Sequence, residues 1–174
     1  MKKISKNIKS NKVYLGLGSN VGDRKENFKK VISSFKNNKN ILHLKIASIY
    51  ETKPYGEVEQ ENFLNTVTFF ETDFTLIELF DFTKNLEKKI GRKKRQNWGP
   101  REIDIDILLF NDLVYKDSKL SIPHKDLLNR DFVLIPLLEL DGNLIHPKEK
   151  KEIKQFLYKL TDEYIVKKIR MDFD

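Results

Sequence analysis

A nine-residue segment, Glu102–Phe110, restricts the possible folds more than any other part of the chain. Isoleucine or leucine occupies every second position from 103 to 109, and aspartate occupies positions 104 and 106. Because alternate residues of a strand point to opposite faces, this pattern predicts a β-strand with one apolar face and two carboxylates on the other. We therefore expect helices to pack on the isoleucine face, and we expect the acidic face to be open to solvent or to a ligand.

The segments before and after this strand show the periodicities of further strands and helices. The predicted elements are a strand at Val13–Leu17, a helix with a capping box at Asp23 and Glu26, strands at 42–50 and 63–70, and a helix capped by Thr75 and Glu78 that ends at Gly91. With the strand at 102–110 this order is β-α-β-β-α-β, which is typical of a ferredoxin-like α+β fold. A C-terminal helical extension follows, with helices near 132–140 and 153–160 and an edge strand near 164–169.

Length and composition indicate one globular domain. The chain has 174 residues, which favours a single domain over residues 13–174 that follows a basic N-terminal tail at residues 1–12. It has no cysteine, so disulfides and thiolate metal sites are excluded. No apolar run is long enough for a membrane span, and no apolar segment follows the basic N-terminus, so we expect a cytoplasmic protein.

The net charge indicates an anionic partner without selecting one. Lysine and arginine number 33 against 26 acidic residues, for a formal charge of +7. Such a surface attracts nucleic acids, nucleotides and acidic lipids alike. An RNA-binding ferredoxin-like module is therefore one candidate. Against it, the strand at 63–70 lacks the aromatic RNA-binding signature, and unmetallated aspartates would repel a phosphate backbone.

The acidic pair has the spacing of a magnesium site. The Cα atoms of Asp104 and Asp106 would lie roughly 6.5–7 Å apart on one strand face. Carboxylates converging from that distance can hold two divalent ions about 4 Å apart. Mg²⁺ needs only one or two carboxylates when phosphate oxygens and water complete its coordination. By itself, however, the pair is also explained by a solvated strand face.

A basic segment directly precedes the acidic strand. Arg92–Arg101 contains five cationic residues in ten, together with Trp98. Guanidinium groups bind phosphates in a bidentate manner, and an indole can stack on a planar heterocycle. A basic surface loop with a buried tryptophan would have the same composition. Cations next to an acidic pair point more specifically to a polyphosphate held by arginines and Mg²⁺ together.

Four sequence motifs occur in a fixed order. They are Gly16-Leu17-Gly18-Ser19-Asn20, Asn62-Phe63-Leu64-Asn65, Trp98-Gly99-Pro100-Arg101-Glu102-Ile103-Asp104-Ile105-Asp106, and Ser121-Ile122-Pro123-His124 through Asn129-Arg130. The chain resembles the 6-hydroxymethyl-7,8-dihydropterin pyrophosphokinases over about residues 13–147. The third motif is highly specific, whereas the glycine motif alone is more often a turn.

The resemblance implies a ferredoxin-like fold and a diphosphate transfer from ATP to a reduced pterin in folate biosynthesis. It implies that Asp104 and Asp106 bind two Mg²⁺ ions and that Arg92 and Arg101 act on the phosphates. The remaining implied residues are, for ATP, Glu87, Trp98, His124 and Arg130 and, for the pterin, Thr52, Tyr55, Asn65, Trp98 and Phe132. ATP and the pterin would be the partners of a monomer that binds neither nucleic acid nor membrane.

The sequence departs from the family pattern at four positions. Asn97 lies where relatives commonly carry arginine, so Arg95 is expected to supply that phosphate contact or the contact is lost. Lys53 replaces a frequent proline, Phe63 a frequent tyrosine, and Lys125 an aromatic residue or proline. These changes affect expected affinity more than activity. Asn97 alone leaves open a degenerate member that binds pterin without turnover.

Overall fold

The computed structural model describes residues 10–56, 59–95 and 99–173. The described elements, in chain order, are β1 Asn11–Ser19, α1 Arg24–Lys36, β2 Ile41–Ile46, β3 Ile49–Thr52, β4 Phe63–Thr72, α2 Leu76–Ile90, β5 Asp104–Phe110, β6 Tyr115–Lys116, β7 Ser121–Ile122, a 3₁₀ turn Leu127–Asn129, α3 Asp131–Leu140, α4 Lys154–Leu157 and β8 Ile165–Ile169. None of these helices is long and apolar enough to cross a bilayer. Because β1 begins at Asn11, the last two residues assigned above to the basic tail belong to the sheet.

The main sheet is antiparallel and has the order β5-β1-β4-β3-β8, with β2 also pairing with β4. The predicted single strand at 42–50 is divided into β2 and β3, which lie along the same side of β4. The hydroxyl of Thr66 donates to the carbonyl oxygens of Ala47 and Ser48 in the gap between them. His43 adopts a positive φ of 55° where the β2 register shifts. Apart from this division, the predicted ferredoxin-like α+β fold is confirmed.

The helix ends follow the predicted capping chemistry. Thr75 and Glu78 form a reciprocal capping box at the start of α2, and Gly91 ends it with a φ of 112°. Asp23 accepts a hydrogen bond from the amide of Glu26 at the start of α1. The predicted edge strand near the C-terminus is β8. The helix predicted near 153–160 is shorter, since α4 gives way to turns in which Lys159 and Leu160 donate to carbonyls three residues earlier.

The two sheet faces have different coverings. Helices α1 and α2 pack on one face against a core that includes Leu15, Leu17 and Ile105. Helix α3 packs on the opposite face against Val67 and Leu108. Because α3 contacts only part of that face, the end of the sheet near Asp104 and Asp106 opens into a cleft.

Replacing Ile105 by alanine is expected to lower the free energy of unfolding by about 2–5 kcal/mol. Ile105 is fully buried between the two aspartates of β5, so the truncation removes core contacts and leaves a cavity. Urea unfolding measures the change. The control is Ile145→Ala, which removes a side chain that is 54% exposed and should change stability by less than about 0.5 kcal/mol. Equal losses for the two variants would contradict the assigned strand faces.

Candidate active site

A cleft of about 870 Å³ lies on the open face of the sheet. It is lined by residues from β1, the loop after β3, β4, α2, the basic loop, β5 and the segment from His124 to Val133. A volume of this size accommodates ligands of the size of a nucleotide or cofactor. The cleft gathers most of the residues that the sequence analysis singled out, although they come from distant parts of the chain.

Asp104 lies at the centre of a cationic cluster in this cleft. The guanidinium of Arg92 donates to Oδ1 over 2.6 Å, and that of Arg101 donates to Oδ2. Burial alone would raise the pKa of Asp104, but the charges of Arg101 and Arg92 outweigh it and hold the pKa below its ordinary value. Asp104 therefore carries its negative charge and orients both arginines at the cleft wall.

Asp106 has a more open environment than Asp104. Its side chain is 33% exposed, and Lys84 Nζ and His124 Nε2 each lie 3.9 Å from one of its carboxylate oxygens. That separation is longer than a hydrogen bond. The alternation of β5 brings this carboxylate to the same face as Asp104, as predicted. The Asp106 carboxylate is thus positioned to bind a cation in the cleft.

Glu87 lies behind the acidic pair, on α2, and is only 3% exposed. Its Oε1 accepts the backbone amide of Ile105 at 2.7 Å, and its Oε2 lies 2.7 Å from Arg92. Burial raises its pKa, and the positive charge of Lys84 opposes that rise. Since β5 is the edge strand of the sheet, Glu87 supplies a hydrogen bond that a further strand would otherwise make. Its carboxylate holds β5 and Arg92 in place.

Lys84 is a cleft residue that the sequence analysis missed. Its ammonium donates to Glu87 at 2.8 Å and to the carbonyl of Ile105 at 3.1 Å, so it completes the edge of β5 from α2. The signal was present in the sequence, because positions 84 and 87 are three residues apart and share one helix face.

The glycine motif provides space for a polar contact. Gly18 on β1 is paired with Asn65 on β4, and a Cβ at Gly18 would lie 2.9 Å from Asn65 Oδ1. Asn65 in turn donates to the hydroxyl of the buried Thr52 over 2.7 Å. A glycine at position 18 therefore leaves room for Asn65 at the cleft surface. The prediction of a turn at this motif was wrong, because residues 16–19 belong to β1, and the steric role of Gly18 is a finding of the tertiary structure.

Asn20, at the end of the same motif, ties the start of the acidic segment to β1. The side-chain Oδ1 of Asn20 accepts a hydrogen bond from the backbone amide of Arg101 at 2.8 Å. The backbone amide of Asn20 donates to the backbone carbonyl of Arg101 at 3.1 Å. These two hydrogen bonds fix the backbone of Arg101, while its guanidinium donates to Asp104. Asn20 belongs to the first motif, but its role was not predicted, because the pairing joins residues 81 positions apart.

Aromatic rings form another part of the cleft. Tyr55 and Phe132 lie 6.4 Å apart in an edge-to-face arrangement, and the guanidinium of Arg130 lies 4.5 Å from the centre of the Tyr55 ring. Phe63 also lines the cleft, and the guanidinium of Arg101 lies 5.5 Å from its ring. Phe63 shares a face with Asn65 because the two are separated by one residue on a strand, which could have identified it from the sequence.

His124 is held in one orientation by its neighbours. Its Nδ1 accepts the amide of Asp126 at 3.2 Å, so the proton of the neutral ring lies on Nε2, which faces Asp106. Burial lowers the pKa of His124, although the negative charge of Asp106 opposes this. His124 is therefore arranged as a hydrogen-bond donor into the cleft.

The basic loop is only partly described. Arg95 makes a bidentate ion pair with Glu102, with contacts of 2.9 and 2.6 Å, and this lowers the pKa of Glu102 to about 2. Trp98 and Asn97, both singled out in the sequence, lie outside the described residues. Within the described ranges, no three acidic or histidine side chains form a metal cage. Two carboxylates alone suit an ion that takes its other ligands from a phosphate.

Comparisons with known proteins identify a family over most of the chain. Residues 14–142 match the family model described as 7,8-dihydro-6-hydroxymethylpterin-pyrophosphokinase (HPPK). The 2-amino-4-hydroxy-6-hydroxymethyldihydropteridine pyrophosphokinase of Aquifex aeolicus is 48% identical over 144 residues, covering 83% of this chain and 89% of the relative. The protein of the same name from Bacillus subtilis is 37% identical over 131 residues, covering 75% of this chain and 78% of the relative.

A solved structure of similar fold is wild-type HPPK-DHPS of Plasmodium falciparum. Its TM-score is 0.66 at 17% identity, and the match covers 87% of this chain. This chain spans 45% of that longer protein. At such low identity the likeness concerns the fold. The family model and the bacterial relatives go further, and by them this chain belongs to the 7,8-dihydro-6-hydroxymethylpterin pyrophosphokinase family.

Proposed function

We infer that this protein is a diphosphokinase of folate biosynthesis. It transfers diphosphate from ATP to 6-hydroxymethyl-7,8-dihydropterin and produces the pterin diphosphate and AMP. The observation that carries this conclusion is the meeting of Asp104 and Asp106 with Arg92 and Arg101 in one cleft, in a chain that belongs to the family. Acidic and cationic groups of this kind together compensate the charge of a polyphosphate.

We propose that Asp104 and Asp106 hold two Mg²⁺ ions together with the phosphates of ATP. The donor set fits this role, because both groups are hard carboxylate oxygens on one strand face and Asp106 is open to the cleft. When bound, Mg²⁺ withdraws charge from the phosphate oxygens and thereby favours displacement at phosphorus. His124 and Arg130 line the same cleft and are suited to donate to the nucleotide phosphates.

The proposed reaction needs no covalent enzyme intermediate. The hydroxymethyl oxygen of the pterin forms a bond to the β-phosphorus of ATP, and the bond from that phosphorus to the bridging oxygen of the α-phosphate breaks. AMP leaves with the electron pair, and the hydroxyl proton is released to solvent. Arg92 and Arg101 stabilise the charge that develops on the oxygens, since they are already fixed at the cleft wall by Asp104.

We propose that the pterin binds between the polar pair of Asn65 and Thr52 and the rings of Tyr55 and Phe132. The amide of Asn65 offers both a donor and an acceptor to the edge of the heterocycle. The aromatic rings offer apolar faces to it. Trp98, outside the described residues, stays a proposed contact shared by both substrates. Cytoplasmic location, a monomeric state and the lack of nucleic-acid or membrane binding stay predictions from the sequence.

The decisive test identifies the nucleotide product. Incubation of the purified protein with ATP, Mg²⁺ and 6-hydroxymethyl-7,8-dihydropterin is expected to release AMP in a 1:1 ratio with pterin diphosphate. Chromatography with phosphorus NMR distinguishes the products. ADP as the main product would show attack at the γ-phosphorus, which requires the same charge compensation and would overturn the proposed reaction. Pterin binding without any nucleotide product would indicate the degenerate binder.

A further inference from the structure

An aromatic cluster extends the proposed pterin pocket beyond the part of the chain that matches the family model. The ring of Tyr164 lies 5.3 Å from that of Tyr55 and 5.9 Å from that of Phe132. These two rings lie 6.4 Å from each other, so each of the three contacts the other two. Tyr164 comes after the matched residues 14–142 and does not line the cleft itself. It packs behind the two rings that do.

Hydrogen bonds fix the backbone of Tyr164 to the segment that carries Phe132. Asp131 is a buried residue, 6% exposed, and its Oδ2 accepts hydrogen bonds from the backbone amides of Tyr164 at 2.9 Å and of Ile165 at 3.0 Å. Its Oδ1 accepts the amide of Phe132 at 2.7 Å. A single buried carboxylate therefore connects the start of α3 to the start of β8.

The same backbone is also bonded to the segment that carries Tyr55. The carbonyl of Tyr164 accepts the amide of Lys53 at 2.8 Å, and Ile165 pairs with Thr52 across β3 and β8. Tyr55 itself lies in the loop that follows β3, just beyond these contacts. Hydrogen bonds thus hold Tyr164 to α3 on one side and to the end of β3 on the other, and its ring contacts both Tyr55 and Phe132.

We propose that Tyr164 is a positioning residue for pterin binding, which sets the separation of Tyr55 and Phe132. This inference rests on the proposed function, because it concerns the pocket assigned there to the pterin. A loop such as the one bearing Tyr55 would otherwise have to be ordered when the ligand binds, at the expense of affinity. The ring of Tyr164 orders it beforehand. Its hydroxyl has no part in this role.

Tyr164→Ala is expected to raise the dissociation constant of 6-hydroxymethyl-7,8-dihydropterin by about 10-fold, because the loop and side chain of Tyr55 would then have to be ordered when the ligand binds. Isothermal titration in the presence of Mg²⁺ and a non-hydrolysable ATP analogue measures it. The affinity for the ATP analogue should change less than about twofold, which also shows that the variant is folded. In the assay, KM for the pterin should rise while kcat stays within about twofold, because the ring touches no reacting group.

Two further variants separate positioning from general stability. Tyr164→Phe keeps the ring and should bind the pterin like the wild type. Tyr158→Ala removes a tyrosine six residues earlier in the chain that is 86% exposed, and it should also leave binding unchanged. Unchanged pterin affinity in Tyr164→Ala, or an equal loss of affinity for both ligands, would overturn the inference while the proposed function stands. A wild-type protein that binds no pterin would overturn both.

Discussion

Asp106→Ala is expected to lower kcat by about 10²–10³-fold or more, because it removes one of the carboxylates that carry the proposed Mg²⁺ ions. The fold should be retained. The Asp106 side chain is 33% exposed, and Lys84 and His124 lie 3.9 Å from its carboxylate oxygens, so few stabilising contacts are lost. Measurement of kcat is therefore paired with titration of Mn²⁺ in the presence of an ATP analogue, which should show weaker metal binding.

A matched control separates this effect from a general change of charge. Asp112→Ala removes an exposed aspartate in the turn that follows β5 and should leave both kcat and Mn²⁺ binding unchanged. Full activity in the presence of excess EDTA would refute a metal-dependent mechanism. Normal Mn²⁺ binding by Asp106→Ala would refute the assignment of this carboxylate.

Arg101→Ala should reduce kcat by about 10²–10³-fold, the typical effect of removing one preorganised donor from a charged transition state. Its guanidinium is held by Asp104 and by a 3.2 Å bond to the carbonyl of Gly99, so it is positioned before the substrates bind. The loss should fall mainly on kcat, with a smaller change in the affinity for an ATP analogue, because the charge on the phosphate oxygens grows during transfer. Steady-state kinetics and analogue titration measure the two quantities separately.

Arg101→Lys tests the geometry of the contact. Lysine keeps the charge but lacks the planar fork, and we expect it to recover only part of the lost activity. Arg170→Ala, at an exposed position after β8, serves as the control for a change in net charge. If Arg101→Ala and Arg170→Ala gave the same small decrease, Arg101 would have no specific role.

Local patterns in the sequence were sufficient wherever neighbours along the chain decide the structure. The alternation in Glu102–Phe110 predicted that Asp104 and Asp106 share a face, and β5 has this arrangement. The signature of Thr75 and Glu78 predicted a capping box that is present. The same reasoning missed the division of the predicted strand 42–50 into β2 and β3. That division involves Thr66 on β4, whose hydroxyl binds the carbonyls between the two strands.

Residues of the candidate site were predicted where short motifs contain them, but contacts between distant segments of the chain were not predicted. The motifs, with the family resemblance they carry, pointed to the aspartates, the arginines, Asn65 and Phe132, and the structure brings these residues to one cleft. Glu87 was predicted as a nucleotide contact, but its environment could not be foreseen, because its partner Ile105 lies 18 residues away on a different element. Phe63 and Lys84 were missed, although Phe63 shares a strand face with Asn65 and Lys84 shares a helix face with Glu87.

By itself, the sequence determined the main helices and most strands of the main sheet, the strand face of the acidic pair and the family of the protein. Strand alternation, helix capping and short motifs act over a few residues, so these features can be predicted locally. Only the tertiary structure decided that Gly18 makes room for Asn65 and that Tyr164 packs behind Tyr55 and Phe132. Those contacts depend on the order of strands in the sheet, and that order arises from packing between segments far apart in the chain.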